Sequence, residues 1–364
     1  LAAEYSIPNE LDNLYKSMGG TGVNAHTWFE ETVYKVDLPA NRINQWAEIE
    51  SERFVDPVYR LFHTELETVY EEKNRSLDNK DRVIFFAVLE TLFKNHPAGQ
   101  QQTIGSVEHL KNPSLKRMRE YYETYYVPNN ACLVVAGDFD MGATRERIER
   151  YFGAVPRGDD VQHVSAPPLV LDSRRVHTLT DDVPFARTEI IWPSPPFLTE
   201  GDAAMDLIGE LLAAGVSSPL VQALIVESSL AEEVQAYQSS SALGSEFIIT
   251  ALARPGVSLD EVEAVIEREV REFLAEGPSE DGLNRQKALM EAQFLRRLES
   301  VEEKADLLNR NQFHFGEPDS FKRDLDRYRN ATVSSCLEWG RKVLGQEGRV
   351  ILRVVPEATQ LEDP

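Results

Sequence analysis

Apolar and polar positions along this chain change period many times, and each change marks a predicted element. The first stretch, "LAAEYSIPNELDNLYKSMGG", carries an amphipathic helical pattern. In "GVNAHTWFEETVYKVDLP" the period drops to two, which predicts strand with Tyr34, Val36 and Leu38 on one face. Ile43, Trp46, Ala47 and Phe54 restore helical spacing, and "DRVIFFAVLETLF" predicts a further helix. Leu115, Met118, Tyr122 and Tyr125 line another helical face. It leads into "ACLVVAG", whose unbroken apolar run predicts a buried strand. "ATRERIERYFG" closes this part as a short helix.

The periodicity then lapses. "PRGDDVQHVSAPP", Pro156–Pro168, is rich in Pro and Asp and predicts a linker at 159–168, between a domain over 1–158 and one over 169–364. Beyond it, "RTEIIWP" reads as strand and "AAMDLIGELLAAG" as helix. "SSPLVQALI" predicts a helix with Ser218 as N-cap and Pro219 at the first helical position. "SEFIITALA" is a predicted strand, and "LDEVEAVIEREVREFLAEG" a periodic helix ending at Gly277. A helix through Trp339 and the strand "RVILRVV" complete the pattern.

The two halves look like copies. A shift of about 218 residues lays "NPSLKRMREYYETYY" on "NATVSSCLEWGRKVL" and "ACLVVAG" on "RVILRVV" without a gap. Nearly the same shift lays the helix around Trp46 on that around Val265. The predicted fold class is therefore α+β, a tandem repeat of two similar domains with helices packed on a mainly antiparallel sheet. The second half opens with a strand and a helix ahead of "SEFIITALA", whereas the first opens with a helix just ahead of its equivalent strand. By that symmetry the first domain is expected to be truncated at its N-terminus, lacking its opening strands.

Composition sets the partners that remain possible. With 364 residues, 42% of them hydrophobic, the chain can bury two cores of ordinary size. Its formal net charge of −23 argues against nucleic acid or an anionic membrane surface, both of which call for clustered Lys and Arg. No run approaches the roughly 20 apolar residues of a membrane span. Cys132 and Cys336 are isolated, which excludes a disulfide framework and a thiolate zinc site.

The acidic run "HTELETVYEEKNRSLDN" is the candidate chemistry. Glu65 and Glu72 lie seven apart, two helical turns, and so share one face, whereas the adjacent Glu71 is about 100° out of phase. Such a face is either solvated or holds something positive.

Several stretches taken together resemble one family. They are "SMGGTGVNAHTWFEETVYKVDLP", "FHTELETVYEEKN", "HPAGQQQTIGSVEHLKNPSLKRMREYYETYYVPNNACLVVAGDFD" and "YFGAVP". In this order they are similar to the insulinase/pitrilysin (M16) zinc peptidases, mitochondrial processing peptidase and bacterial zinc proteases among them. The resemblance implies tandem α+β domains and a Zn2+ held by two histidines of an inverted HxxEH motif and a downstream glutamate. Histidines at i and i+4 share a helix face, and a fourth position stays open for the water that the motif's glutamate activates. The matching downstream positions are Glu72 as ligand and Glu65 as its support. The family's substrate-binding strand matches Val23, Asn24, Ala25, His26 and Thr27, where a peptide would add as a further strand. An arginine–tyrosine pair that full-length members use to grip substrate falls on Ile225 and Glu232, which cannot do so.

The chain departs from the family in one respect. It has no HxxEH: His26, His63, His96, His109, His163, His177 and His314 include no two that are four apart. In the family the motif precedes the stretch that opens this chain. The expectation is a zinc metallopeptidase acting on peptides or unfolded segments, inactive as this chain alone because one carboxylate cannot hold zinc. The alternative is a non-catalytic binding or scaffolding subunit beside an active partner. Expected partners are a peptide substrate and a second M16-like half, subunit or homodimer mate.

Overall fold

Runs in which every second residue, or every residue, is apolar become the strands of the larger of two sheets. The structure is a computed structural model, described for residues 7, 9–59, 62–94, 96–100 and 103–357. The described chain begins with α1 (Glu10–Ser17), β1 (Thr21–Thr27), β2 (Thr32–Asp37), α2 (Ile43–Val55), α3 (Phe62–Asp78) and α4 (Lys80–Leu92). It continues through α5 (Leu115–Tyr125), α6 (Met141–Phe152), β3 (Arg175–Asp181), β4 (Arg187–Ser194) and α7 (Asp202–Ala213). Then come β5 (Ala231–Ser239), β6 (Ser245–Ala253), α8 (Leu259–Glu276), α9 (Glu280–Arg297) and α10 (Val301–Phe315). The last elements are α11 (Phe321–Arg329), α12 (Val333–Val343) and β7 (Val350–Pro356). The fold is α+β.

These elements form two compact units that interleave in sequence. One comprises Leu1–Ser76, Gln102–His163 and Arg296–Ser320; the other comprises Leu77–Gln101, Val164–Leu295 and Phe321–Pro364. One of the crossings between them, at 163/164, falls within the stretch expected as linker. Each unit also takes in a helix from the opposite half of the sequence, α10 in the first and α4 in the second.

The second unit is built on a five-stranded sheet of order β3-β7-β4-β6-β5, antiparallel except for the β3–β7 pair. Central strands are covered on both faces, and for that reason β4 and β6 read as nearly continuous apolar runs. Their register sets Ile190 opposite Ile249 and Trp192 opposite Phe247. Those side chains join Leu207 and Ile208 of α7, Val262 and Ile266 of α8, and Cys336 of α12 in one core. Burial of each such aliphatic or aromatic side chain contributes about 1.5–3 kcal/mol. A Cβ at Gly209 would lie 2.7 Å from the Ala236 carbonyl oxygen, so glycine there lets α7 settle closely on β5.

Two buried carboxyls at the edge of this core find their partners within the unit. Asp202 is fully buried and accepts from the Leu198 amide at 2.9 Å, Gln238 Nε2 at 2.6 Å, Ser240 Oγ at 2.8 Å and Arg327 Nη1 at 2.6 Å. Asp206, one turn on, accepts from the Tyr328 hydroxyl at 2.7 Å. Burial, aided by the charge of Asp202, pushes the Asp206 carboxyl up to about 7.

The first unit holds the β1–β2 hairpin, with Ala25 opposite Tyr34 and His26 opposite Val33. Beside it stands an aromatic and cationic cluster. Tyr122 and Tyr126 stack at 4.5 Å, Tyr126 meets the Tyr34 hydroxyl at 3.0 Å, and the Arg53 guanidinium lies over the Tyr34 ring at 5.2 Å. Glu50 fixes Arg53 from the same helix at 2.8 Å and accepts from the buried Tyr15 hydroxyl of α1. Lys35 of β2 pairs with Glu302 of α10 at 2.5 Å.

Helix starts repeat as the sequence symmetry predicts. α5 and α12 begin at Leu115 and Val333, 218 positions apart, each behind a hydroxyl cap, Ser114 and Thr332. The predicted buried strand "ACLVVAG" fails. Residues 131–136 form no strand, and Cys132 and Leu133 are exposed. The reason lies in pairing. The counterpart β7 has β3 on one side and β4 on the other, whereas no strand among the described residues pairs with 131–136. The segment instead borders an open groove of about 470 Å3, with Leu308 and Gln312 of α10 on the other side. "SSPLVQALI" also differs. Pro219–Val221 is a single helical turn behind Ser218, whose hydroxyl makes no cap, and a π-helical turn follows over Gln222–Glu227. Of the predicted opening helix, residues 1–6 and 8 lie outside the described residues and Glu10–Ser17 is helical.

Candidate functional site

β-Branched Thr21, Val23 and Thr27 favour extension over Thr21–Thr27, and a turn closed by the Trp28 amide on the Glu31 carbonyl at 2.9 Å returns the chain as β2. All seven residues of β1 are exposed. Among the described residues β2 is its only strand neighbour, so the other edge of Val23, Asn24, Ala25, His26 and Thr27 is open. The register slips between Thr21 and Asn24, a bulge next to Gly22 at φ 61°. Asn24 Oδ1 accepts from the Ala25 amide at 2.9 Å. His26 Nε2 stands 3.9 Å from Glu31 Oε1.

α3 carries both candidate glutamates. Glu65 and Glu72 are exposed on one helix, about 10 Å apart along its axis at 1.5 Å per residue. His63, also exposed, packs edge-on against the Phe62 ring at 5.4 Å. β1 and both glutamates belong to the first unit. Glu232 of β5 is engaged with Arg254 at 3.4 Å, and Ile225 lies in the π-helical turn.

A catalytic zinc takes three protein ligands and leaves one position for water. Among the described residues no group of three or more His, Cys, Asp or Glu side chains could hold a metal ion. The residues present therefore do not by themselves fit a zinc, and no hydrolytic step follows from them alone. No described helix is long and apolar enough to cross a membrane.

Comparison with known proteins fits this arrangement. The family described as "Peptidase M16 inactive domain" matches residues 113–290. In this stretch the chain is similar to the M16 peptidases. It is 24% identical to the zinc protease PqqE of Helicobacter pylori over 305 residues, which covers 82% of this chain and 68% of that protein. It is likewise 24% identical over 311 residues to the mitochondrial-processing peptidase subunit beta of Saccharomyces cerevisiae, covering 80% of this chain and 65% of that one. The chain thus spans about two thirds of these M16 relatives. In fold it is similar to the crystal structure of a protease from Helicobacter pylori, with TM-score 0.83 at 20% identity, covering 95% of this chain and 85% of that one.

One polar surface escaped the sequence reading. The second face of the five-stranded sheet carries Arg187, Glu189, Tyr237 and Glu246 beneath α4. The signal was a lone glutamate at the start of the otherwise apolar "SEFIITALA".

Proposed function

We propose that this chain serves an M16-type zinc peptidase as its peptide-recognising part. In this reading an extended peptide adds to the open edge of β1 at Val23–Thr27, held through its main chain with little demand on side chains. Glu72, supported by Glu65, is the one carboxylate this chain offers to a Zn2+ whose histidine ligands are not among its own residues. Hydrolysis of peptide bonds then belongs to the assembled enzyme, and this chain alone binds peptide without cleaving it. The observation that carries the reading is the fully exposed strand whose second edge is unpaired among the described residues, in a chain similar to M16 peptidases.

The test is fluorescence anisotropy with a labelled, extended decapeptide and a copy N-methylated at alternate amides. The plain peptide should bind uncleaved, and the N-methylated copy should lose about tenfold in affinity as main-chain bonds are removed. Absence of binding, or equal binding of both peptides, would overturn it.

A second reading is favoured by the absence of a metal-holding group among the described residues: a non-catalytic subunit beside an active M16 partner. The two part at Glu72→Gln. In the first reading this change lowers the zinc content of the assembled enzyme; in the second it leaves zinc unchanged.

A further inference from the structure

Strand alternation gives the larger sheet a second face, opposite the apolar core. Glu246, Ile248, Thr250 and Leu252 follow one another on that face of β6, and α4 crosses it. The helix does not fill the space it covers. A cavity of about 390 Å3 remains, with Ile84 and Val88 of α4 on one side and Ile248 and Leu252 on the other. Strand register orders the polar groups along it. Tyr237 stands opposite Ile248, Glu189 opposite Thr250, and Glu233 opposite Leu252. At about 3.3 Å per residue, Glu246 and Leu252 mark ends roughly 20 Å apart. The cavity is therefore long, apolar along its sides and lined by carboxyls.

Its charges do not balance. Four carboxyls, Asp81, Glu189, Glu233 and Glu246, face it against the single guanidinium of Arg187. Arg187 is committed away from Glu246: it pairs with Glu189, with Asp81 at 2.7 Å, and donates to Thr250 Oγ1 at 3.1 Å. Glu246 is 5% exposed and hydrogen-bonds the Ser239 side chain, and no cation among the described residues pairs with it. A carboxyl so placed is stable only if it stays neutral or acquires a counter-charge. Burial holds it at about 7, so either state is within reach near neutral pH.

We propose that this cavity binds an ammonium group carried on an aliphatic chain, with the ammonium on Glu246 and the methylenes along Ile248, Leu252, Ile84 and Val88. Three N–H donors match an acceptor-only carboxylate, and the Tyr237 ring next to Glu246 adds an electron-rich wall. An anion is excluded by the surplus of carboxyls, and a neutral alcohol leaves Glu246 without its counter-charge. Free alkylamines and lysine side chains share this chemistry.

The test is isothermal titration of the whole chain with hexylamine, 1-hexanol and Nα-acetyl-lysinamide. Hexylamine should bind at pH 8, and 1-hexanol at least tenfold more weakly. At pH 6 hexylamine binding should release a proton from Glu246, so the heat should vary with the ionisation enthalpy of the buffer. Asp81, Glu189 and Glu233 share the cavity with Arg187 and Tyr237, so the same titration on Glu246→Gln isolates the buried carboxyl. That variant should weaken hexylamine at least tenfold and abolish the buffer dependence. Ile248→Phe, which fills the cavity and removes no charge, should block binding as well, with circular dichroism confirming that both variants fold. Binding of Nα-acetyl-lysinamide in place of hexylamine would identify a lysine side chain as the source. No binding of either amine, equal binding of hexanol, or undiminished binding to both variants would overturn the proposal, the last because attraction to the acidic surface would then suffice.

Discussion

Residues 131–136 and β7 carry almost the same apolar run at equivalent places in the repeat, yet only β7 is a strand. β7 lies between β3 and β4 with Val350, Ile351 and Leu352 fully buried, while Leu133 is 45% exposed beside an open groove. Intrinsic preference for extension is similar in the two segments. What differs is whether neighbouring strands take up the backbone N–H and C=O groups, which a strand cannot satisfy on its own. A sheet is a collective object, and a segment that would sit at its centre has no structure of its own to fall back on.

The contrast can be broken most directly by truncating the two segments' surroundings. Phe247→Ala, in the packed core of the second unit, should cost about 3–5 kcal/mol in urea unfolding, whereas Leu133→Ala should cost less than about 0.5 kcal/mol. A loss above roughly 2 kcal/mol for Leu133→Ala would mean that residues 131–136 are packed after all.

Arg327→Met sharpens the same contrast, because it leaves Asp202 fully buried without its counter-charge. The expected cost is about 3–5 kcal/mol, recovered in part by adding Asp202→Asn. Urea midpoints of the single and double variants decide it. An Arg327→Met variant as stable as the parent would show that the three neutral donors to Asp202 suffice.

A smaller effect comes from acidity. Asp206 and Glu246 bind their protons more tightly folded, near 7, than unfolded, near the ordinary carboxyl value of about 4. Their contribution to stability is therefore present at low pH and is lost as pH rises from about 4 through 7. Asp206→Asn and Glu246→Gln should flatten that decline. Melting curves from pH 5 to 8 check it, and a slope unchanged in both variants would assign the effect elsewhere.

Smallest is the surface pair of Lys35 with Glu302. Lys35→Ala should change stability by no more than about 1 kcal/mol, less still at high salt, as urea midpoints at two salt concentrations would show.

What was legible in the sequence was local. Even so, the one N-cap expected, Ser218, makes no cap bond, whereas Ser114, Asp140, Ser258, Ser300 and Thr332, not singled out in the sequence, cap the helices that follow them. Glu65 and Glu72 lie on one helix because a seven-residue spacing is itself a helical property. The strand at 131–136 was misread because pairing depends on residues distant in sequence. The carboxyl at 246 was overlooked because nothing in "SEFIITALA" tells which face α4 will cover. The π-helical turn at Gln222–Glu227 has no local signal that we recognise.

The exchange of α4 and α10 bears on how such a chain is made. A ribosome delivers residues in order, but the first unit includes Arg296–Ser320 and is incomplete until that segment has left the exit tunnel. At roughly 5–20 residues per second, the hairpin of β1 and β2 then waits many seconds for the helix that supplies Glu302. The second unit likewise needs Lys80–Leu92, made long before its sheet. Neither half of the sequence is a folding unit, so a break in the peptide bond at the 163/164 crossing would not yield two finished pieces, and separately expressed halves should each become soluble only when the other is present.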